Sequence, residues 1–352
     1  MSERVKRLLL TSSCQYLGSH TAVTLLKAGF EVVAIDNPSF KSTELPECLK
    51  RVEEITKKKF TEFYAVNLFE IDELRAIFRK HKFDVVVHFS QLRGVRESLL
   101  MPLKYYSTNV ASLLSLLQVM QEFGVTKMVA ASSSTVYGDP KYLPIDEGHP
   151  VGDCTSPYAR TMLMTENILQ DITAAEGWNV ILLRFFSEVG AHESGRIGDD
   201  SKGPPQNLMP FVAQVAAGQR AELQVFGDTF NTKDGTVERD YLHVMDLAKA
   251  HVAAVKKILE PSYKGCRAYN LGTGKPNTVL EVIQAFEQAS GKKIPYKIGD
   301  RKPGDVAKLY GDPKHAYTEL GWKASRSLLE MCADMWRWQT MNPQGYEREP
   351  QK

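Results

Sequence analysis

The strongest constraint on the fold is an alternation that runs through the first half of the chain. Six short apolar runs, VKRLLL, FEVVAI, EFYAV, DVVVHF, KMVAA and NVILLRF, have the composition of strands. Between several of them the apolar residues recur at helical spacing, as in IDELRAIFRKHK and NVASLLSLLQVMQEFG. Parallel strands need helix-length crossovers, and those helices cover both faces of the sheet. The expected architecture is therefore an α/β, Rossmann-type doubly wound parallel sheet. After about residue 190, glycine, proline and charge rise in AHESGRIGDDSKGPPQN, which reads as an exposed connection. Shorter strands and helices follow, including the amphipathic NTVLEVIQAFEQASG. They suit a smaller C-terminal α/β domain.

Composition narrows the function. The 352 residues are 43% hydrophobic and 24% charged, the signature of a globular chain. The net charge is +2, and the basic stretches RVKR and KKK are short, so a nucleic-acid partner is not expected. The five cysteines, Cys14, Cys48, Cys154, Cys266 and Cys332, are scattered and form no CxxC pair. That pattern points to free thiols in a reducing compartment and to no bound metal. No apolar run is long enough to cross a bilayer and no signal-peptide pattern opens the chain, so a cytoplasmic protein is expected.

The first strand run enters TSSCQYLGSH (11–20), where a dinucleotide-binding fold places its glycine-rich loop. Asp36-Asn37 ends the second run, about 20 residues further on, where an acid can bond an adenosine ribose. Then come VHFSQLRGVRES (87–98), SSSTVYGDPKYLPIDE (132–147), SPYARTM (156–162), LLRFFSEVGAH (182–192), QNLMPFVAQVAAG (206–218), the long VFGDTFNTKDGTVERDYLHVMDLAKAH (225–251) and YNLGTG (269–274). Their order and content closely resemble the UDP-galactose (UDP-glucose) 4-epimerase family of extended short-chain dehydrogenase/reductases, over residues 5–345.

That resemblance implies a reaction in which a tyrosine phenolate takes the sugar 4-hydroxyl proton while NAD accepts hydride from C4. The 4-keto sugar turns over and is reduced on its other face. It implies a first, NAD-binding domain over 1–190 and a substrate domain over 191–352, with part of 239–258 returning to the first. It further implies a UDP-sugar ligand and a homodimer paired through helices near 103–123 and 157–174. Tyr158 and Ser133 match the catalytic pair, and Asp36, Asn37, Asn67, Leu68 and Arg93 fall at cofactor-binding positions together with the loop residues Ser12, Gln15 and Gly18. Ser187, Asn207, Leu208, Arg239, Lys302 and Asp305 fall at substrate-binding positions.

The chain departs from the family pattern at the chemical end. Ser12 and Gln15 replace the first two loop glycines, while Gly18 is kept. The family's glycine at the position of Gln15 lets the backbone approach the pyrophosphate, and a side chain there crowds it. Met162 stands four residues after Tyr158, where the family has the lysine that lowers the tyrosine pKa and bonds the nicotinamide ribose. A tyrosine with an ordinary pKa near 10 is roughly 0.1% phenolate at pH 7, so losing that cation costs on the order of a thousandfold. Ser90, Gln91 and Arg96 replace small residues beside the expected cofactor channel, and Arg93 replaces a lysine. Ser187 replaces an asparagine, Glu188 a proline, Lys302 an arginine, and Leu309 the residue that commonly sets room around the sugar.

The expectation from the sequence is a pseudoenzyme: an epimerase fold that has lost NAD-dependent catalysis and keeps a binding, regulatory or structural role. The alternatives are an active epimerase, in which Arg93 or Arg160 supplies the missing cation, and a different reaction in the same cleft.

Overall fold

In a computed structural model describing residues 4–37, 45–90, 92–200, 205, 207–302 and 305–346, the six runs become the parallel strands of one sheet. They are β1 (Arg7–Leu10), β2 (Glu31–Asp36), β3 (Glu62–Ala65), β4 (Val85–His88), β5 (Lys127–Ser133) and β6 (Asn179–Phe185). Next come β7 (Ser187–Val189), β8 (Leu223–Phe226), β9 (Glu238–Arg239), β10 (Tyr241–His243) and β11 (Cys266–Leu271). β11 adds a seventh parallel strand beside β6, in the order β11-β6-β5-β4-β1-β2-β3. Short strands are expected from the sequence after residue 190 without one being placed at 266–271, and pairing with β6 is what fixes this one.

The side chains of each strand alternate between the two faces of the sheet. Leu8, Leu10, Val85 and Val87 pack against the helix Tyr16–Lys27 and the helix Val244–Leu259. Leu9, Val33 and Val86 pack on the other side against Leu74, Ile77, Phe78, Leu113 and Leu117. Both faces are covered, which is why these strands read as unbroken apolar runs. Burying each such side chain contributes roughly 1.5–3 kcal/mol. The helical stripe expected over 103–123 is realised by Leu113, Leu117 and Met120, while Leu114 is 50% exposed.

A smaller body gathers the helices Leu208–Ala216, Val279–Ser290 and Leu328–Met341 around Val225 of β8, through Met209, Val212, Val282, Phe286, Met331 and Met335. Short strands β12 (Asn277–Thr278), β13 (Tyr296–Gly299) and β14 (Lys308–Leu309) complete it, with β9 between β12 and β14 and β13 beside β8. Two segments after residue 190, the helix Val244–Leu259 and β11, lie on the large sheet.

Strand order reverses between β1 and β4. The connections leaving the carboxyl ends of these two strands diverge there and open a crevice. Beyond β4 the sheet continues through β5 and β6 to β11.

Candidate active site

The turn after β1 keeps a tight path without its first glycine. Ser12 adopts φ +50°, the left-handed region that costs a non-glycine residue about 1–2 kcal/mol. Its hydroxyl donates to the carbonyl of Phe89 at 3.0 Å, an interaction glycine cannot make. Gly18 explains the tightness, since a Cβ there would lie 2.1 Å from the Ser12 carbonyl oxygen. Gln15 caps the following helix with φ −77° and ψ 166°, ordinary extended backbone for any residue. Its cost is thus confined to the side chain's own volume. At the end of β2, the Asp36 carboxylate accepts the Cys14 N–H at 2.6 Å and the Asn37 N–H at 2.7 Å. Burial raises its pKa, and these backbone donors oppose the rise. Asn67 accepts the Phe69 N–H through its side chain, and Leu68 is buried in the core below.

Tyr158 and Met162 lie one turn apart on the helix Pro157–Glu176 and share a buried cluster with Tyr105 and Phe186. The helix starts where Ser156 accepts the Ala159 N–H at 3.2 Å and proline occupies the first turn. Asn109 locks it to the β4 loop by donating to Thr161 Oγ1 at 3.1 Å and to the Leu92 carbonyl at 3.0 Å. The Met162 sulfur lies 4.0 Å from the Ser90 hydroxyl. Behind β5, Arg184 pairs with Glu166 at 2.6 Å and donates to the Tyr137 hydroxyl at 3.0 Å, so the strand carrying Ser133 rests on a satisfied buried ion pair.

One cation, Arg93, lines the same cavity as Tyr158. Arg93 pairs with Glu188 at 3.2 Å and lies 5.6 Å from the Tyr16 ring centre. Burial pushes the Tyr158 hydroxyl up to about 12 and the Glu188 carboxylate adds to the rise, while hydrogen bonding by Ser133 and the charge of Arg93 pull it down. Glu188 therefore faces a cation instead of standing alone as an acid in the cleft. Arg160, the other candidate cation, is exposed on the outer face of its helix. Gln91 lies outside the described residues.

The substrate-side residues converge. A cavity of about 530 Å³ between the sheet and the smaller body is lined by Tyr158, Ser133, Ser187, Asn207, Leu208, Arg239, Lys302 and Asp305, with Arg93, Glu188 and Leu309. The Lys302 ammonium lies 3.5 Å from the centre of the Phe226 ring, and Arg239 donates to the carbonyls of Glu238 and Val306. Ser12, Gln15, Gly18, Asp36, Asn37, Asn67 and Leu68 are not among this cavity's lining; they border the crevice above β1, β2 and β3. Arg96 was expected beside the cofactor channel but lines the substrate cavity. Asn109 has no local motif that would single it out, and Phe226 lies in the matched segment 225–251 without being picked out there; their proximity to the site arises from long-range packing.

Residues 15–335 match the GDP-mannose 4,6 dehydratase family. A UDP-glucose 4-epimerase of Mus musculus is 48% identical over 346 residues, covering 97% of this chain and 99% of that protein. One from Bacillus subtilis (strain 168) is 50% identical over 341 residues, covering 97% and 98%. The chain belongs to the UDP-glucose 4-epimerase family. A crystal structure of the Bifidobacterium longum epimerase in complex with NAD+ and UDP aligns at TM-score 0.90 and 44% identity, covering 97% of this chain and all of that one. The Stenotrophomonas maltophila epimerase with bound NAD and formylated UDP-arabinopyranose aligns at 0.91 and 39%, covering 97% and 99%.

These relatives overturn the expectation of a pseudoenzyme. Chains named UDP-glucose 4-epimerase match at 48–50% identity almost end to end, so the chain is neither a divergent member of the family nor outside its enzymes. The structure shows where the sequence reading overweighted local changes. Ser12 holds the left-handed turn expected of glycine, and the charge of Arg93 lowers the Tyr158 pKa, though less than burial and Glu188 raise it.

Proposed function

We propose that the chain is a UDP-sugar 4-epimerase that works with NAD and interconverts UDP-glucose and UDP-galactose. The observation that carries this reading is the single cavity in which Tyr158 and Ser133 meet Asn207, Arg239, Lys302 and Asp305. A proton-transfer pair at one end and cations at the other suit a sugar whose 4-hydroxyl reacts and whose diphosphate is anchored. In this reading the large-sheet body serves the cofactor and the smaller body the sugar nucleotide.

The crevice residues fit the adenosine side of NAD. The tight turn at Ser12 and Gly18 brings the start of the helix Tyr16–Lys27 to the crevice, and the Asp36 carboxylate stands at the end of β2 to accept from a ribose. Asn67 and Leu68 border the adenine side. At the nicotinamide end the fit is one donor short, since the Met162 thioether offers no N–H. NAD, when bound, supplies reversible oxidation at the sugar C4.

The chain's own part is proton transfer and positioning. Tyr158 takes the 4-hydroxyl proton and later returns it, and Ser133 holds the phenol oriented. Arg93 stabilises the phenolate. Burial, and after it the Glu188 carboxylate paired with Arg93, outweigh that charge, so the tyrosine stays mostly protonated at neutral pH. Arg239 and Lys302 meet the diphosphate, Asp305 the uridine ribose, and Ser187, Asn207 and Leu208 the sugar and its linkage.

Self-association is supported by apolar side chains left exposed on the two expected pairing helices, among them Leu103, Leu114 and Met164. Five unpaired cysteines support a reducing, cytoplasmic setting.

The decisive experiment incubates purified protein and added NAD with UDP-galactose at pH 8–9 and follows UDP-glucose by chromatography. Sustained conversion that disappears in Tyr158→Phe is expected. No conversion above a protein-free blank would refute the proposal.

A further inference from the structure

The charges lining the substrate cavity do not balance. Arg93 and Glu188 neutralise each other at 3.2 Å. Arg96, Arg239 and Lys302 remain, against Asp305 alone, a surplus of two positive charges. A sugar-nucleotide diphosphate carries about one negative charge per phosphate, and so matches that surplus.

The three cations are held differently. Arg239 spends one nitrogen on the carbonyls of Glu238 and Val306, at 2.9 and 2.8 Å, which fixes its side chain to its own strand and the loop before β14. Lys302 rests its ammonium on the Phe226 ring at 3.5 Å and offers a compact charge without the two-pronged geometry of an arginine. Arg96, on the short helix Val95–Leu100, is exposed and has no hydrogen bond or ion pair among the described residues. Its guanidinium is close enough to Lys302 for its charge to depress the lysine's pKa, after burial, which is the larger cause. Two like charges lining one cavity near each other raise the free energy of the empty site and are relieved when an anion enters.

We propose that Arg96 is a binding residue for the substrate diphosphate, supplying from the β4 loop the two-pronged guanidinium that Lys302 cannot. This rests on the reading of the cavity as a UDP-sugar site. It gives the arginine at 96 a role that neither the catalytic pair nor the cofactor crevice uses. It also makes the diphosphate contact bridge the two bodies, since Arg96 follows β4 of the large sheet and Lys302 follows β13 of the smaller body.

The test is calorimetric titration of the full chain with UDP, which binds without reacting, and with uridine as the phosphate-free control. Wild type, Arg96→Ala and Arg96→Lys are compared at two salt concentrations. Loss of about tenfold or more in UDP affinity is expected for Arg96→Ala, with partial recovery in Arg96→Lys, a shallower salt dependence and unchanged uridine affinity. UDP affinity within twofold of wild type in Arg96→Ala would overturn the assignment while leaving the UDP-sugar reading intact. An equal loss for UDP and uridine would assign Arg96 to the shape of the cavity and overturn its phosphate contact. Failure of the wild type to bind UDP at all would overturn the underlying reading and this assignment with it.

Discussion

Replacing Met162 with lysine is the sharpest perturbation of the proposed chemistry. Tyr158 is pushed up to about 12, so at pH 8 only about one molecule in ten thousand carries the phenolate. An ammonium one helical turn away lowers a neighbouring acid by about 1–3 units, a gain of roughly 10- to 1000-fold in phenolate at neutral pH. Met162 is 2% exposed, so the new lysine enters a dry site and its own pKa falls. The Ser90 hydroxyl, now 4.0 Å from the sulfur, is the acceptor on hand to keep it charged. The expected gain therefore lies at the lower end of that range. The assay is the initial rate of UDP-galactose conversion from pH 6 to 10, with NAD content measured on the same samples. In the wild type, log rate should climb with a slope near one across the whole range, because the pH stays below the tyrosine pKa. In Met162→Lys the rate should be at least about tenfold higher at pH 7 and level off at a lower pH. Superimposable pH profiles at equal NAD content would refute the assignment of Tyr158 protonation as the limiting quantity.

Two further outcomes follow from the crevice and the core. Gln15→Gly leaves an extended backbone unstrained and removes only side-chain volume, so the purified variant should retain more NAD than wild type through gel filtration; equal retention would show that Gln15 does not crowd the cofactor. His20, His88 and His251 are held neutral by burial, at about 3, 4 and 4. The unfolded chain takes up these protons near pH 6.5 and the folded chain does not, so their contribution is complete above about pH 6.5 and falls as the pH drops toward 4. Each contributes a slope of roughly 1.4 kcal/mol per pH unit in that window. In His251→Phe, urea denaturation between pH 6 and 4.5 should show a slope shallower by about that amount, whatever the change in stability at pH 7.5. An unchanged slope would mean that His251 titrates alike in both states.

Some of the site was legible because its signals are local. The spacing from Ser133 to Tyr158, the acid closing the second strand run and the glycine at 18 belong to segments whose strand or helix character the sequence shows directly. The error came from treating each missing family residue as a missing physical function. Ser12 shows that a left-handed turn can be held by a non-glycine residue when its hydroxyl finds a carbonyl, here that of Phe89, 77 positions away. Arg93 lowers the Tyr158 pKa from a loop, but burial and Glu188 outweigh it, so the cation missing at position 162 is only partly offset. The contact of Ser12 with Phe89 has no period or motif.

The sequence by itself determined the alternation of strands and helices, and with it a parallel sheet with a crevice at its switch point. Those properties follow from side-chain periodicity and from the helix-length crossovers that parallel strands require. Only the tertiary structure decided which charges face the reacting tyrosine, that Glu188 is paired, that Arg96 stands in the substrate cavity and that β11 closes the sheet beside β6. Arg93 and Glu188 are 95 residues apart, and β11 begins 81 residues after β6 ends. Charge interactions and strand pairing depend on distance in space, and across such separations that distance is set by how the whole sheet and the smaller body pack.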